Sequence, residues 1–151
     1  MGLQRSAPDS PEALARAVVL ALVADDAIDH RELELLTRLK AFARIGLPEA
    51  VVLRLGRDLL RHLAGRFNDR AWLSLADAAL LDEVLDGVRD PAKRLLVCRL
   101  VAGVITADGA VSPAERLVYE HMLMRWRISR EDVAAAIRAD PVPLAAAAQP
   151  G

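Results

Sequence analysis

Apolar residues recur at intervals of three and four along nearly all of the chain, the spacing that lays them on one face of an α-helix. Leu14, Val18 and Ala21 form one such stripe, and Val97, Val101 and Val104 form another. Alternating runs of β-branched residues, the mark of a half-buried strand, do not appear. Caps and breakers divide the pattern into about seven helices. The first is expected over 10–26, with Ser10 as its cap and Pro11 at the first helical position. The second follows Asp29 and runs to Arg44, ahead of Gly46 and Pro48. The third spans 48–64, and the fourth spans 74–85 after the weakly patterned link RFNDRAW. The fifth starts on Asp90-Pro91 and ends near Ala107, and the sixth runs from Ser112-Pro113 to Arg127. The seventh runs from Ser129 to the residue before Pro141. The expected fold is all-α, with one domain over residues 10–140, a flexible segment at 1–9 and a disordered tail at 141–151.

The pattern also repeats. Residues 18–32 read VVLALVADDAIDHRE and residues 101–115 read VAGVITADGAVSPAE. Asp25 matches Asp108 and Glu32 matches Glu115, in both cases at a separation of 83 (108 − 25 and 115 − 32). The same register pairs Ala43-Arg44-Ile45 with Trp126-Arg127-Ile128, so the repeat covers about 14–51 and 97–134. Such a period is too long for a solenoid, whose units are about 20–50 residues. Two copies imply instead two pseudo-symmetric helical hairpins, each burying its apolar stripe against the other.

Both copies carry two acids at fixed spacing around the hairpin turn. Asp25 continues the stripe of Leu14, Val18 and Ala21, and Asp108 continues that of Val97, Val101 and Val104. On the following helices, Glu32 aligns with Leu36, Leu39 and Ala43, and Glu115 with Tyr119, Met122 and Trp126. An aspartate at a helix C-terminus meets the negative end of the macrodipole, an effect of about 0.3–1 kcal/mol when exposed. Backbone N–H groups of the turn or a bound cation would offset it. The glutamates have a structural explanation, because Asp29-x-x-Glu32 and Ser112-x-x-Glu115 have the spacing of capping boxes. They also have a chemical one: hard cations such as Ca²⁺, Mg²⁺ or Mn²⁺ take oxygen ligands, and Asp25, Glu32, Asp108 and Glu115 would supply them. The turn is far shorter than the twelve-residue EF-hand loop and lacks its alternating ligands. Convergence of all four acids would permit a two-metal hydrolase, a more distant alternative.

Composition narrows the field. The 151 residues are 54% hydrophobic and only 3% aromatic, so leucine, valine and alanine must build the core. A net charge of −1, from 20 basic and 21 acidic residues, argues against a nucleic-acid binder. The start MGLQRSAPDSPEA lacks the apolar region of a signal peptide, and a single cysteine fits a reducing cytoplasm. Cys98 lies within RLLVCRLVAGV and is expected in the core. His30, His62 and His121 have no ligand spacing. Arg54, Arg57 and Arg61 form a basic stripe, either a solvated face or a contact for an acidic partner or membrane. Asp77, Asp82, Glu83 and Asp86 of the fourth helix are expected to be solvated. Phosphate loops and nucleophile elbows are absent.

Two copies of A-D-x-x-[IV]-x-x-x-E at the turn of a helical hairpin resemble the TerB family of tellurite-resistance proteins. The closer copy is Ala107-Asp108-Gly109-Ala110-Val111-Ser112-Pro113-Ala114-Glu115-Arg116, and the stretch ending Arg127-Ile128-Ser129 is similar as well. The first copy keeps Asp25, Ile28 and Glu32 but has Asp26 where the family has glycine. The resemblance covers about residues 10–140. It implies an all-helical fold of about seven helices with internal pseudo-symmetry, and an acidic surface for a divalent cation at Asp25, Glu32, Asp108 and Glu115. It further implies a non-catalytic bacterial stress-response role, with other tellurite-resistance proteins as partners, in the cytoplasm or at the inner face of the membrane. A pure interaction scaffold, in which the acids only cap helices, is the alternative.

Overall fold

The computed structural model of the chain describes residues 7–24, 30–63, 73–106 and 111–139. They form eight α-helices and, among the described residues, no strand. These are α1 (Pro11–Leu22), α2 (His30–Arg38), α3 (Ala41–Ile45), α4 (Glu49–Leu63), α5 (Leu75–Leu85), α6 (Pro91–Ile105), α7 (Pro113–Trp126) and α8 (Arg130–Ala139). The fold is all-α, as the pattern predicts. The expected caps Ser10, Asp90 and Ser112 hold, and Ser74 is a further one. Ser10, Ser74, Asp90 and Ser112 each accept a hydrogen bond from a backbone N–H of the first turn they open.

Helix α1 is the axis of the molecule. Every residue from Ala13 to Leu22 is buried, and α3, α4, α5, α6 and α7 all pack against it. A helix that is apolar almost all round needs neighbours on every side, and PEALARAVVLAL leaves Arg16 as the one charge in its buried run. The core around it is aliphatic, with Leu20, Leu22, Leu36, Leu59, Leu63, Leu81, Leu85 and Met122 fully buried.

The packing is reciprocal. Helix α1 touches α6, α7 and α4, while α6 touches α1, α2 and α8. Exchanging the two halves therefore turns each contact into another: α1–α7 into α6–α2, and α1–α4 into α6–α8. The duplication thus includes a third helix in each half, α4 and α8.

The second helix of the first copy departs from expectation. It breaks at Leu39-Lys40, with Lys40 in the left-handed region at φ 57°, and resumes as α3. Helix α3 ends where Leu47 N–H bonds to Phe42 C=O at 3.1 Å, and α7 ends where Ile128 N–H bonds to Leu123 C=O at 3.0 Å. Both are Schellman-type endings closed by a left-handed residue, Gly46 in one and Arg127 in the other. These pairs are 81 apart (127 − 46 and 128 − 47), not 83. The shorter shift also matches buried Ala41 with Met122, Ile45 with Trp126 and Val52 with Val133. The first copy therefore carries two additional residues, taken up at the break. Ala43-Arg44-Ile45 is not the counterpart of Trp126-Arg127-Ile128. The break leaves Leu39 against α6, where its Cδ1 would lie 2.9 Å from a Cβ at Gly103.

Asp9, the last residue of the segment expected to be flexible, is tied to the link before α6. Its N–H donates to Gly87 C=O, and its Oδ1 accepts from Arg89 N–H at 2.6 Å and Asp90 N–H at 2.9 Å. The starts of α1 and α6 are thereby joined, since Ser10 caps one and Asp90 the other.

Candidate functional site

Of the four acids singled out by the repeat, Glu32 and Glu115 lie within the described residues, while Asp25 and Asp108 lie outside them, as do Asp26 and Asp29. Glu32 is half-buried in the first turn of α2 and is engaged by a neighbour. Glu115 is the third residue of α7 and is only 6% exposed. Its Oε1 accepts from Ser112 N–H at 3.1 Å, and its own N–H donates to Ser112 Oγ at 3.0 Å, completing the expected capping box. The Asp29 box falls outside the described residues.

A second acid occupies the same place on a neighbouring helix. Asp77, expected to be solvated, is 3% exposed. It follows Ser74 as Glu115 follows Ser112, with its N–H donating to Ser74 Oγ at 3.1 Å. Helices α5 and α7 run parallel, because His121 pairs with Asp82 and, one turn on, Arg125 pairs with Asp86. Those pairs are 39 residues apart, and Glu115 and Asp77 are 38 apart (115 − 77), so the two acids stand at nearly one level. Two helix N-termini lie side by side there, each with its positive dipole end beside a carboxylate.

A buried base, Arg16, lies on α1, the helix that packs against both α5 and α7. Arg16, Asp77 and Glu115 are the buried charged side chains among the described residues, one on each of α1, α5 and α7, and these three helices pack mutually. Burying charge is costly unless it is paired and hydrogen-bonded, and Arg16 and Asp77 are each engaged by a neighbour. Arg16 has a repeat partner outside the acidic motif: Arg99, also engaged, stands at the same separation of 83 (99 − 16). The signal was in the register itself, within LARAVVLALVAD and VCRLVAGVITAD, but a lone arginine in an apolar stripe reads as a helix-face charge until burial is known.

Among the described residues no group of three or more His, Cys, Asp or Glu is placed to hold a metal ion. Cys98 is fully buried, and burial pushes its thiol up to about 12. Tyr119, beside it in the core, is likewise pushed up to about 12, first by burial and then by the Cys98 charge. Burial thus disfavours the thiolate and the phenolate at neutral pH. Trp126 belongs to the core as expected, with its indole N–H donating to Leu85 C=O at 3.2 Å and the Arg94 guanidinium 5.7 Å from its ring centre. His30 is exposed and pairs with Glu34 at 3.4 Å. His121 has no ligand spacing in the sequence, yet its Nε2 lies 2.7 Å from Asp82 Oδ1 and ties α7 to α5. The basic stripe is exposed on α4, as predicted. No helix of the described residues is long and apolar enough to cross a membrane.

The chain matches no family model, no curated protein and no solved structure.

Proposed function

We propose that this chain is a non-catalytic, TerB-like module of bacterial stress response whose duplicated acidic turns bind a divalent cation and through it, or beside it, protein partners. The reading rests on one observation: the motif A-D-x-x-[IV]-x-x-x-E occurs twice, on helix pairs whose packing is reciprocal. A duplicated fold can drift everywhere its surface is idle, yet both copies keep an aspartate before the turn and a glutamate after it. The associated partners are other tellurite-resistance proteins, at the cytoplasmic face of the membrane. Titration calorimetry with Ca²⁺, Mg²⁺, Mn²⁺ and Zn²⁺ tests the ion. Heat and a raised melting temperature are expected for the wild type and are lost in Asp25→Ala/Asp108→Ala. Silence with all four ions rejects cation binding.

The completed Ser112–Glu115 box favours a second reading, a protein-interaction scaffold whose glutamates only cap helices. Glu115→Gln separates the two, since an amide oxygen still accepts from Ser112 N–H but loses the charge. The scaffold reading expects it to bind partners as the wild type does. The cation reading expects ion affinity to fall at least tenfold with the fold retained, because hard cations depend on carboxylate charge.

A further inference from the structure

We infer that the outward face of α4 is a docking surface for an acidic helical segment of a partner protein, independent of the acidic turns. Helix α4 buries Val52, Leu55, Leu59 and Leu63, which leaves Arg54, Arg57 and Arg61 exposed along the opposite side at spacings of three and four. The row spans about 10 Å of helix at 1.5 Å per residue. Arg54, Arg57, Leu60 and Arg61 line one concavity of about 520 Å³. Arg61 is steadied by Asp58, Nη2 to Oδ1 at 2.9 Å, whereas Arg54 and Arg57 have neither an ion pair nor a hydrogen bond among the described residues. Three guanidiniums against one carboxylate leave a local positive surplus in a chain whose net charge is −1.

The form of the surface selects the occupant. A membrane-binding helix presents bulky apolar residues beside its bases, but among the described residues the exposed large hydrophobic ones are Leu75, Val111, Met124 and Ile137, none of them on α4. Three bases with an acid among them also fall short of the clusters of about four to eight that hold anionic lipid. A single phosphate meets one or two guanidiniums, whereas the row is longer than that. An antiparallel helix with glutamates at i, i+4 and i+7 reproduces the spacing in reverse, opposite Arg61, Arg57 and Arg54, with an apolar side chain over Leu60.

The test uses the full chain and a labelled, lactam-stapled peptide with glutamates at i, i+4 and i+7, read by fluorescence anisotropy. The glutamate peptide is expected to bind at least tenfold tighter than its glutamine version, and to weaken as salt is raised. Arg54→Glu/Arg57→Glu is expected to lose that tenfold and to gain affinity for a lysine version of the peptide. Circular dichroism checks that the exposed substitutions leave the helices intact, and Arg57→Gln serves if the double variant unfolds. Equal binding of glutamate and glutamine peptides overturns the inference, as does a charge-reversed variant that still prefers glutamate. Arginine-dependent binding to phosphatidylserine vesicles or to inorganic phosphate, with the peptide left unbound, also overturns it by assigning the face to a lipid or a free anion.

Discussion

Asp9 sits at φ 60° and gathers two backbone N–H donors, from Arg89 and Asp90, onto one carboxylate oxygen. Those bonds, the Asp90 one foremost, hold its carboxyl below the ordinary value of 3.8, with the Lys93 and Arg89 charges adding to them. A carboxylate whose folded pKa is depressed contributes stability above its unfolded value and loses it as pH falls through the folded one. Asp9→Asn, which tolerates the left-handed backbone, should therefore melt below the wild type at pH 6, with the gap closing as pH falls below the ordinary carboxyl value of 3.8. A gap that persists unchanged at the acid end would contradict the ionic account. Cys98 gives the complementary case. Its thiol is inside α6, fully buried and raised to about 12, so a water-soluble disulfide reagent at pH 8 should leave it untouched in the native state and modify it fully in urea. Rapid native labelling would show that the α6 core opens easily. The burial of Cys98 was legible from RLLVCRLVAGV alone, whereas the roles of Asp9 and Arg16 were not. A carboxylate that binds amides 80 residues away has no local signature.

Helices began where the capping residues said they would, because a cap is a local bargain between a side chain and the N–H groups of its own first turn; α1, though, ends at Leu22 rather than at 26, and one helix breaks. The exception is instructive. Nothing in HRELELLTRLKAFARI distinguishes a continuous helix from one that breaks at Leu39-Lys40, since every residue in it is an acceptable helix former. Tertiary packing decides the matter. The two extra residues of the first copy would rotate everything after them by about 200° at 3.6 residues per turn, turning Ala41 and Ile45 away from the core, and the left-handed Lys40 resets the face. Between elements, Trp126 joins α7 to the end of α5 through Leu85 C=O and to α6 through Arg94. Trp126→Phe should cost about 1–3 kcal/mol in urea denaturation followed by circular dichroism, because the smaller ring leaves a gap in the core and Leu85 C=O keeps only Val88 N–H as donor. A loss below half a kcal/mol would mean that water replaces the indole. The Arg125–Asp86 pair, half-exposed on both sides, should by contrast contribute no more than about 1 kcal/mol in a double-mutant cycle.

At the scale of the whole molecule, the two copies do not form separate units, because each first helix packs on the second helix of the other half. Val18 on α1 and Val101 on α6 are equivalent and both fully buried. Val18→Ala and Val101→Ala should each remove about 1–3 kcal/mol, and each should lower one shared, cooperative unfolding transition. Two resolved transitions, one per variant, would show that the halves fold independently. The sequence by itself determined the all-α class, the caps, the duplication and the aliphatic core, since periodicity and capping depend on residues within a turn or two of each other. It also marked the acidic turns and the arginine row as chemistry to be explained. Only the tertiary structure decided that the repeat register shifts from 83 to 81 past the break, and that Asp77 and Arg16 are buried as Glu115 is. The physical reason is that burial of a charge, and the side of a helix that faces inward, are set by neighbours brought together from distant parts of the chain, whose positions no local pattern encodes.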